Sequence, residues 1–313
     1  LINFLNNKFS LNKREDHWIY SGIEIYLLID FLKQFYPNVK FLGKIAANKF
    51  LNNYNVSKVD FNEIFINYSE YVIRLNLQQV DNQARDKLTK INSEIASPYH
   101  TGIGFDYISD LIGKSKFESI LKEIPNLKNS NNFILLFKDI EPFKYSWFFN
   151  NYINTRKSFD LTLIKISSNE YKVSEKNNTP IPYFISLIKD DEVIDENFYE
   201  TYDKINIPKI DFDYIGINVN KMLPETNRFN NWLSNSKNNK KPIKIKLFGD
   251  LENPKYNSVY LRPEATYNLY DGISPGFNLL NKGIKNKPFS YEVFSQYASK
   301  EKTLVGSLNL KYE

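Results

Sequence analysis

The sequence predicts an α+β protein with a helical first part and two strand-rich parts after it. Apolar residues recur every three to four positions over residues 1–130, which is the spacing of helices that bury one face. From residue 148 on, apolar and polar residues alternate, which indicates strands. A polar stretch rich in lysine and asparagine at 233–241 predicts a linker. We therefore expect a helical region at 1–130, a small β-sandwich at 148–232 and antiparallel hairpins at 242–313.

The helical part divides into several predicted helices. Apolar residues of the first, at 18–35, fill more than one helical face, which indicates a largely buried helix. Tyr36 and Pro37 end it, because proline removes a backbone donor and disfavours helix at the residue before it. Ser115 is the candidate N-cap of the last helix. The other helices are predicted at 61–77, 81–96, 102–112 and 116–124.

Alternating segments mark the strands of both later parts. Asp271 and Gly272 give a turn signal between two of them. Strands are predicted at 159–166, 183–188 and 214–219, and then at 258–269, 276–280, 289–296 and 304–312. The last four are rich in aromatic residues, which is typical of the wall of a β-barrel, although a soluble sheet has the same alternation. From the pattern alone both interpretations stay open.

Composition narrows the function classes. The 41 basic and 36 acidic residues are scattered along the chain and give a net charge of +5, which indicates a solvated surface and not a nucleic-acid-binding one. The absence of cysteine excludes disulfides and thiolate metal sites. No run of apolar residues reaches the roughly 18 that a transmembrane helix needs.

Four segments of the chain carry a family resemblance. Residues 16–26 read D-H-W-I-Y-S-G-I-E-I-Y, residues 98–104 read P-Y-H-T-G-I-G, and residues 107–117 begin Y-I-S-D-L-I-G and end at Phe117. They resemble the segments W-L-N-E-G-F-A-x-Y, P-Y-x-K-G and Y-L-x-x-x-L-G-x-x-x-F of aminopeptidase-N-like zinc metallopeptidases, the gluzincins. Residues 223–231, L-P-E-T-N-R-F-N-N, are similar to the tail of the large Bacteroidota members, in which an outer-membrane β-barrel follows the peptidase region and a β-sandwich.

The resemblance implies a zinc metallopeptidase of the cell envelope, with a periplasmic peptidase-like region that hydrolyses peptide bonds and with barrel strands in the outer membrane. It also implies that this chain is the part that follows the zinc-binding H-E-x-x-H helix, since only His17 and His100 are present and they lie far apart. Two zinc ligands and the general base are then upstream. We expect this part alone to bind no zinc and to hydrolyse nothing, and we expect no nucleic-acid partner.

Site residues follow from the matched positions. Tyr99 matches the tyrosine whose hydroxyl stabilises the oxyanion as water attacks the scissile carbonyl. His100 and Gly102 match positions on the substrate side. Ser21 stands where the family has the glutamate that is the third zinc ligand, and a neutral hydroxyl is a poor replacement for a carboxylate. Glu24 lies on the same helix face and is the candidate substitute ligand.

Each of these residues also has a structural interpretation. Tyr99 could pack between helices, Glu24 could be a solvated or ion-paired carboxylate, and His17 could be a structural histidine. Serine at position 21 leaves open a non-catalytic relative that uses the peptidase fold as a scaffold or binding module on an outer-membrane barrel. A third alternative is that the barrel itself is the functional part, as a channel or receptor.

Overall fold

A computed structural model of the protein describes residues 10–137, 144, 146–236, 241–285 and 287–312. Its helices and its largely antiparallel sheets make the fold mixed α+β, which confirms the predicted fold class. Within the described ranges, no helix combines the length and the apolar character needed to cross a membrane.

The described residues group into two compact units. The first holds the residues up to Val39 together with Asp60–Asn231, and the second holds Lys40–Val59 together with the residues from Trp232 on. In the second unit the Asp250 carboxylate accepts hydrogen bonds from the backbone N–H groups of Asn55, at 2.8 Å, and Val56, at 3.0 Å. These bonds attach the Lys40–Val59 segment to the strands near the end of the chain.

Helices dominate the first part of the chain. The α-helices are α1 His17–Phe35, α2 Glu63–Arg74, α3 Ser97–Ile112, α4 Lys114–Glu123 and α5 Ser130–Leu135. Short 3₁₀ helices lie at Gly43–Ala47, Leu51–Asn53, Asn55–Ser57, Arg85–Lys87 and Ile124–Asn126, and π-helical turns lie at Asn92–Ala96 and Trp147–Ile153. The predicted helices at 18–35, 61–77, 102–112 and 116–124 are therefore confirmed within a few residues.

Two local predictions are wrong. In the helix predicted at 81–96, residues 81–89 form no α-helix but a loop with the 3₁₀ turn Arg85–Lys87. Amide side chains bind the backbone next to this loop and at its end: Gln79 Oε1 accepts from Thr89 N at 2.7 Å, and Asn92 Oδ1 accepts from Gln79 N at 3.0 Å. Ser115 is not an N-cap, because α4 begins at Lys114, directly after Gly113 with its φ of +91°.

Six strands of the first unit form two small sheets. They are β1 Leu161–Lys165, β2 Glu170–Glu175, β3 Tyr183–Lys189, β4 Glu192–Tyr199, β5 Lys204–Asn206 and β6 Tyr214–Ile217. One sheet has the order β1-β2-β5, and in the other β3 pairs with both β4 and β6. All of these pairings are antiparallel. Strands β2, β4 and β5 were not predicted from the sequence.

Strands of the second unit form one larger sheet. The short strand β7 Trp232–Ser234 precedes this sheet in the chain. The strands of the larger sheet are β8 Ile243–Leu247, β9 Asn257–Asn268, β10 Gly272–Leu280, β11 Phe289–Ala298 and β12 Thr303–Tyr312. Their order is β12-β11-β10-β9-β8, and neighbours from β9 to β12 are antiparallel, as predicted. β8 was not predicted, and it pairs with β9 in parallel. Residues 237–240 of the predicted linker lie outside the described residues.

Helices α1 and α3 pack closely against each other through two glycines. A Cβ atom built on Gly22 of α1 would lie 2.4 Å from Cγ2 of Thr101, and one built on Gly102 of α3 would lie 2.5 Å from Cβ of Ile25. Neither distance is compatible with a side chain. Around this crossing lies an aromatic core in which Trp18 meets Phe133 edge to face, with ring centroids 5.8 Å apart.

The segment at 223–231 contacts both β1 and α2 through its side chains. The side chain of Glu225 is fully buried and accepts hydrogen bonds from Leu161 N, at 2.9 Å, and from Asn231 Nδ2, at 2.8 Å. Burial raises the pKa of Glu225 to about 8, although both hydrogen bonds favour the carboxylate. Arg228 of the same segment pairs with the buried carboxylate of Glu70 in α2. This segment therefore contributes to the packing of the first unit.

Candidate functional site

A cleft of about 370 Å³ lies at the first two turns of α1. Five residues of α1 line it. Among them His17, Ser21 and Glu24 share one helix face, because they are three and four positions apart. The opposite wall comes from the loop and turn before α3. The other lining residues are Lys13, Tyr20, Ile25, Arg85, Ser93, Glu94 and Pro98.

Ser21 is buried, and its hydroxyl donates a hydrogen bond to the backbone carbonyl of His17 at 2.9 Å. This bond to the preceding helical turn is common for serine within helices. The hydroxyl proton is thus used inside α1, and position 21 offers the cleft neither a negative charge nor a carboxylate oxygen.

His17 bridges the two walls of the cleft. Its Nε2 lies 2.8 Å from the carbonyl oxygen of Ser93. Because a carbonyl oxygen only accepts, Nε2 carries the hydrogen, and Nδ1 is the nitrogen with the free lone pair in the neutral ring. Burial lowers the pKa of His17, which favours this neutral form near pH 7. The contact supports the structural interpretation of His17, since it holds α1 against the turn before α3.

Glu24 is half-buried in the cleft. Burial raises the pKa of its carboxyl group. The charged residues that line the cleft are two acidic ones, Glu24 and Glu94, and two basic ones, Lys13 and Arg85. This balanced set of charges suits a ligand that itself carries both signs.

Tyr99 occupies a different environment from Ser21 and Glu24. Its ring packs edge to face against Phe65, at 4.9 Å, and Tyr68, at 5.7 Å, between α2 and α3. Its neighbour Pro98 lines the cleft, whereas Tyr99 is not among the lining residues. Burial raises the pKa of Tyr99, so its hydroxyl stays a neutral donor at physiological pH.

His100 belongs to a buried hydrogen-bond network that sequence reasoning missed. Its Nδ1 lies 2.5 Å from Oδ2 of Asp81, and its ring stacks on Tyr152 with centroids 4.1 Å apart. Oδ1 of Asp81 accepts from Ser97 Oγ, at 2.5 Å, and Gln78 Nε2, at 3.1 Å. We call Gln78, Asp81, Ser97 and His100 the Asp81 network; Tyr152 packs against it. No spacing rule links its members, so no sequence signal could have revealed it.

Zinc needs three or four nitrogen, oxygen or sulfur ligands that converge on one point. Throughout the described ranges, no group of three or more histidine or acidic side chains could hold a metal ion. In the cleft, the Ser21 hydroxyl donates to a carbonyl, and His17 holds Ser93 through its other nitrogen. The described residues of the cleft therefore do not by themselves supply a set of zinc ligands.

The sheet of the second unit has two faces of opposite character. One cross-strand row of the register is Leu261, Leu279, Val293 and Leu308, one residue from each of β9 to β12. This face is exposed, with Leu308 at 62% and Tyr312 at 84%. The polar residues Ser274, Asn278 and Gln296 on the opposite face are buried. The alternation was predicted from the sequence, and the structure shows that the apolar face is the exposed one.

Compared with protein-family models, with curated proteins and with solved structures, the chain matches none. The features that bear on its function are therefore those of its own structure. One unit has a cleft of mixed charge lined partly by α1, and the other has a sheet with one apolar and one polar face.

Proposed function

We propose that this chain forms one wall of the peptide site of an aminopeptidase-N-like zinc metallopeptidase, with the H-E-x-x-H ligands and the general base supplied by residues outside it. The observation that carries the proposal is the crossing of α1 and α3. The two segments that resemble the family meet there through Gly22 and Gly102, the glycines of both motifs, beside the cleft. Helices that cross this closely need a residue without a side chain at the contact, and each of the two motifs supplies a glycine there.

The chemistry of the cleft supports a peptide ligand. A peptide with free ends carries an ammonium and a carboxylate, and the cleft offers carboxylates in Glu24 and Glu94 and cations in Lys13 and Arg85. The hydroxyl of Tyr99 stays neutral, as the oxyanion role implied by the resemblance requires, but Tyr99 packs next to the cleft and does not line it. His100 and Gly102 support α3 from within the packed core. In this proposal the last two residues position the site and do not contact the peptide.

A second candidate is a peptide-binding scaffold without hydrolysis, and Ser21 favours it. The family ligand at this position is a carboxylate, whereas the Ser21 hydroxyl donates to His17 within the helix. A zinc site with only two protein ligands would bind the metal weakly. Both candidates use the same cleft and differ only in whether a metal is held beside it.

Metal content and hydrolysis separate the two candidates in the protein expressed from its whole gene. If it is a peptidase, we expect one zinc per chain and cleavage of an amino-acid p-nitroanilide, and we expect Ser21→Glu to raise zinc affinity tenfold or more. Ser93→Glu is the matched control, since it adds the same charge to the cleft away from the ligand position.

Zinc binding and hydrolysis by the wild type would rule out the scaffold. Absence of both in the wild type, with neither restored by Ser21→Glu, would rule out the peptidase.

For the second unit we propose contact with outer-membrane lipid, and for the first unit a location in the periplasm. The support is the exposed apolar face of β9 to β12, because water-exposed sheets normally turn their polar face outward and membrane barrels their apolar face. The aromatic residues Tyr267, Tyr297 and Tyr312 lie toward the strand ends of this face, where the membrane interfaces would be.

Site-specific labels test the lipid contact, since the chain has no native cysteine. Leu308→Cys and Ser307→Cys would each carry a fluorophore, one on each face of β12, in the whole protein reconstituted into vesicles. We expect brominated acyl chains to quench the label at 308 several-fold more than the label at 307, and iodide to do the reverse. Equal quenching of both labels by iodide would contradict lipid contact.

A further inference from the structure

The polar face of the second unit's sheet carries a second cleft, of about 400 Å³. Its basic residues are Arg262 on β9, Lys282 after β10 and Lys311 on β12, and its single acidic residue is Glu292 on β11. Asn309 and Ser290 add polar groups. We call this the cationic cleft. It belongs entirely to the second unit and is independent of the proposed peptide site.

The lining of the cationic cleft has more basic than acidic residues. The one carboxylate, Glu292, accepts a hydrogen bond from Nδ2 of Asn278, the residue directly opposite Arg262 on β10. Arg262 and Lys282 are half-buried, and in the described part of the chain neither side chain has an ion pair. Partly buried cations are unfavourable unless an anion compensates them. The cleft therefore favours a bound anion.

The cationic groups are held in place by the backbone around them. A Cβ atom on Gly283 would lie 2.2 Å from the carbonyl oxygen of Asp250, and Ile284 N donates to that same oxygen at 3.0 Å. This tight contact fixes the backbone next to Lys282. A Cβ atom on Gly249 would lie 3.3 Å from Nη2 of Arg262, so the glycine leaves room for the guanidinium. A preorganised site loses less free energy to ordering when a ligand binds.

We propose that the cationic cleft binds the phosphate group of a small phosphorylated molecule. The planar guanidinium of Arg262 can donate two parallel hydrogen bonds to phosphate oxygens, and the ammonium group of Lys282 supplies further positive charge. The cleft is larger than phosphate alone, and its volume lies in the range of small-molecule sites, which leaves room for an organic part. The phosphate can belong to a soluble molecule or to a lipid headgroup.

Calorimetric titration of the full chain in detergent tests the proposal, with inorganic phosphate in one arm and phosphatidic acid in mixed micelles in the other. We expect saturable binding that Arg262→Gln weakens about tenfold or more and that Arg262→Lys weakens less, because lysine keeps the charge and loses the paired donors. Lys282→Gln should also weaken it. Lys302→Gln is the matched control, an identical change at an exposed turn outside the cleft.

Binding of inorganic phosphate with this variant pattern supports a soluble ligand, and the same pattern with phosphatidic acid alone supports a lipid headgroup. The proposal is overturned if neither probe binds saturably, or if Arg262→Gln binds as tightly as Lys302→Gln. Because neither probe involves zinc or peptide, these results do not depend on the outcome for the first unit.

Discussion

Gly22→Val is expected to lower the free energy of unfolding of the first unit by about 3 kcal/mol, at the upper end of the usual cost of overpacking. The new Cβ alone would lie 2.4 Å from Thr101 Cγ2 and 2.7 Å from Phe105 Cε2. Both neighbours are fully buried, so neither can move aside without disturbing the core. Urea denaturation followed by tryptophan fluorescence measures the change, since Trp18 and Trp147 lie in this core.

A compensating pair makes this prediction specific to the helix crossing. Gly22→Ala should destabilise less than Gly22→Val, and adding Thr101→Ser should recover part of the loss, because serine lacks the Cγ2 atom that the new methyl meets. Ser115→Ala, at an exposed position of α4, controls for the helix propensity of alanine. If Gly22→Val were as stable as the wild type, α1 and α3 would not cross as closely as described.

Asp81→Ala should have an effect of similar size, about 3 kcal/mol, because it leaves several buried polar groups without a partner. The Asp81 carboxylate accepts hydrogen bonds from Gln78, Ser97 and His100, and Asp81 is 1% exposed. These bonds hold the loop before α3 against the helix. Loss of the network should therefore also loosen the cleft wall that this loop provides, which hydrogen exchange of the backbone at 82–92 would detect.

Two further variants check the cause of the Asp81 effect. Asp86 lies in the same loop as Asp81, and its exposed carboxylate pairs with Arg14. The unfolding midpoint of the Asp86→Ala variant should equal that of the wild type. In a double-mutant cycle, Asp81→Ala and His100→Ala should be clearly non-additive, since the two side chains are in direct contact. Additive effects would mean that Asp81 and His100 are not coupled as described.

How far the candidate site could be predicted differs from residue to residue. Ser21 and Glu24 were expected on one face of a helix, and they line one cleft, because helical spacing alone places them together. Packing of Tyr99 between helices was one of its two interpretations, but its partners could not be predicted. Its contacts with Phe65 and Tyr68 depend on how α2 packs against α3, and three-to-four periodicity does not contain that information.

The elements that sequence reasoning missed share one physical cause. Strand β8 is a short segment of alternating isoleucine and lysine whose partner β9 lies beyond a loop, and the segment Lys40–Val59 joins the second unit through Asp250. The loop at 81–89 is stabilised by amide side chains that compete with helix formation. In each case a distant or side-chain partner outweighs local propensity.

By itself, the sequence determined the α+β class, the positions of the longer helices and strands, and the two-faced alternation of β9 to β12, because periodicity in apolar residues is a local property of the chain. Only the tertiary structure decided that Gly22 and Gly102 meet at a helix crossing, that His100 is bound to Asp81, and that Arg262, Lys282 and Lys311 line one cleft. Such contacts join residues far apart in the chain, and their energies depend on packing and burial that no local pattern records.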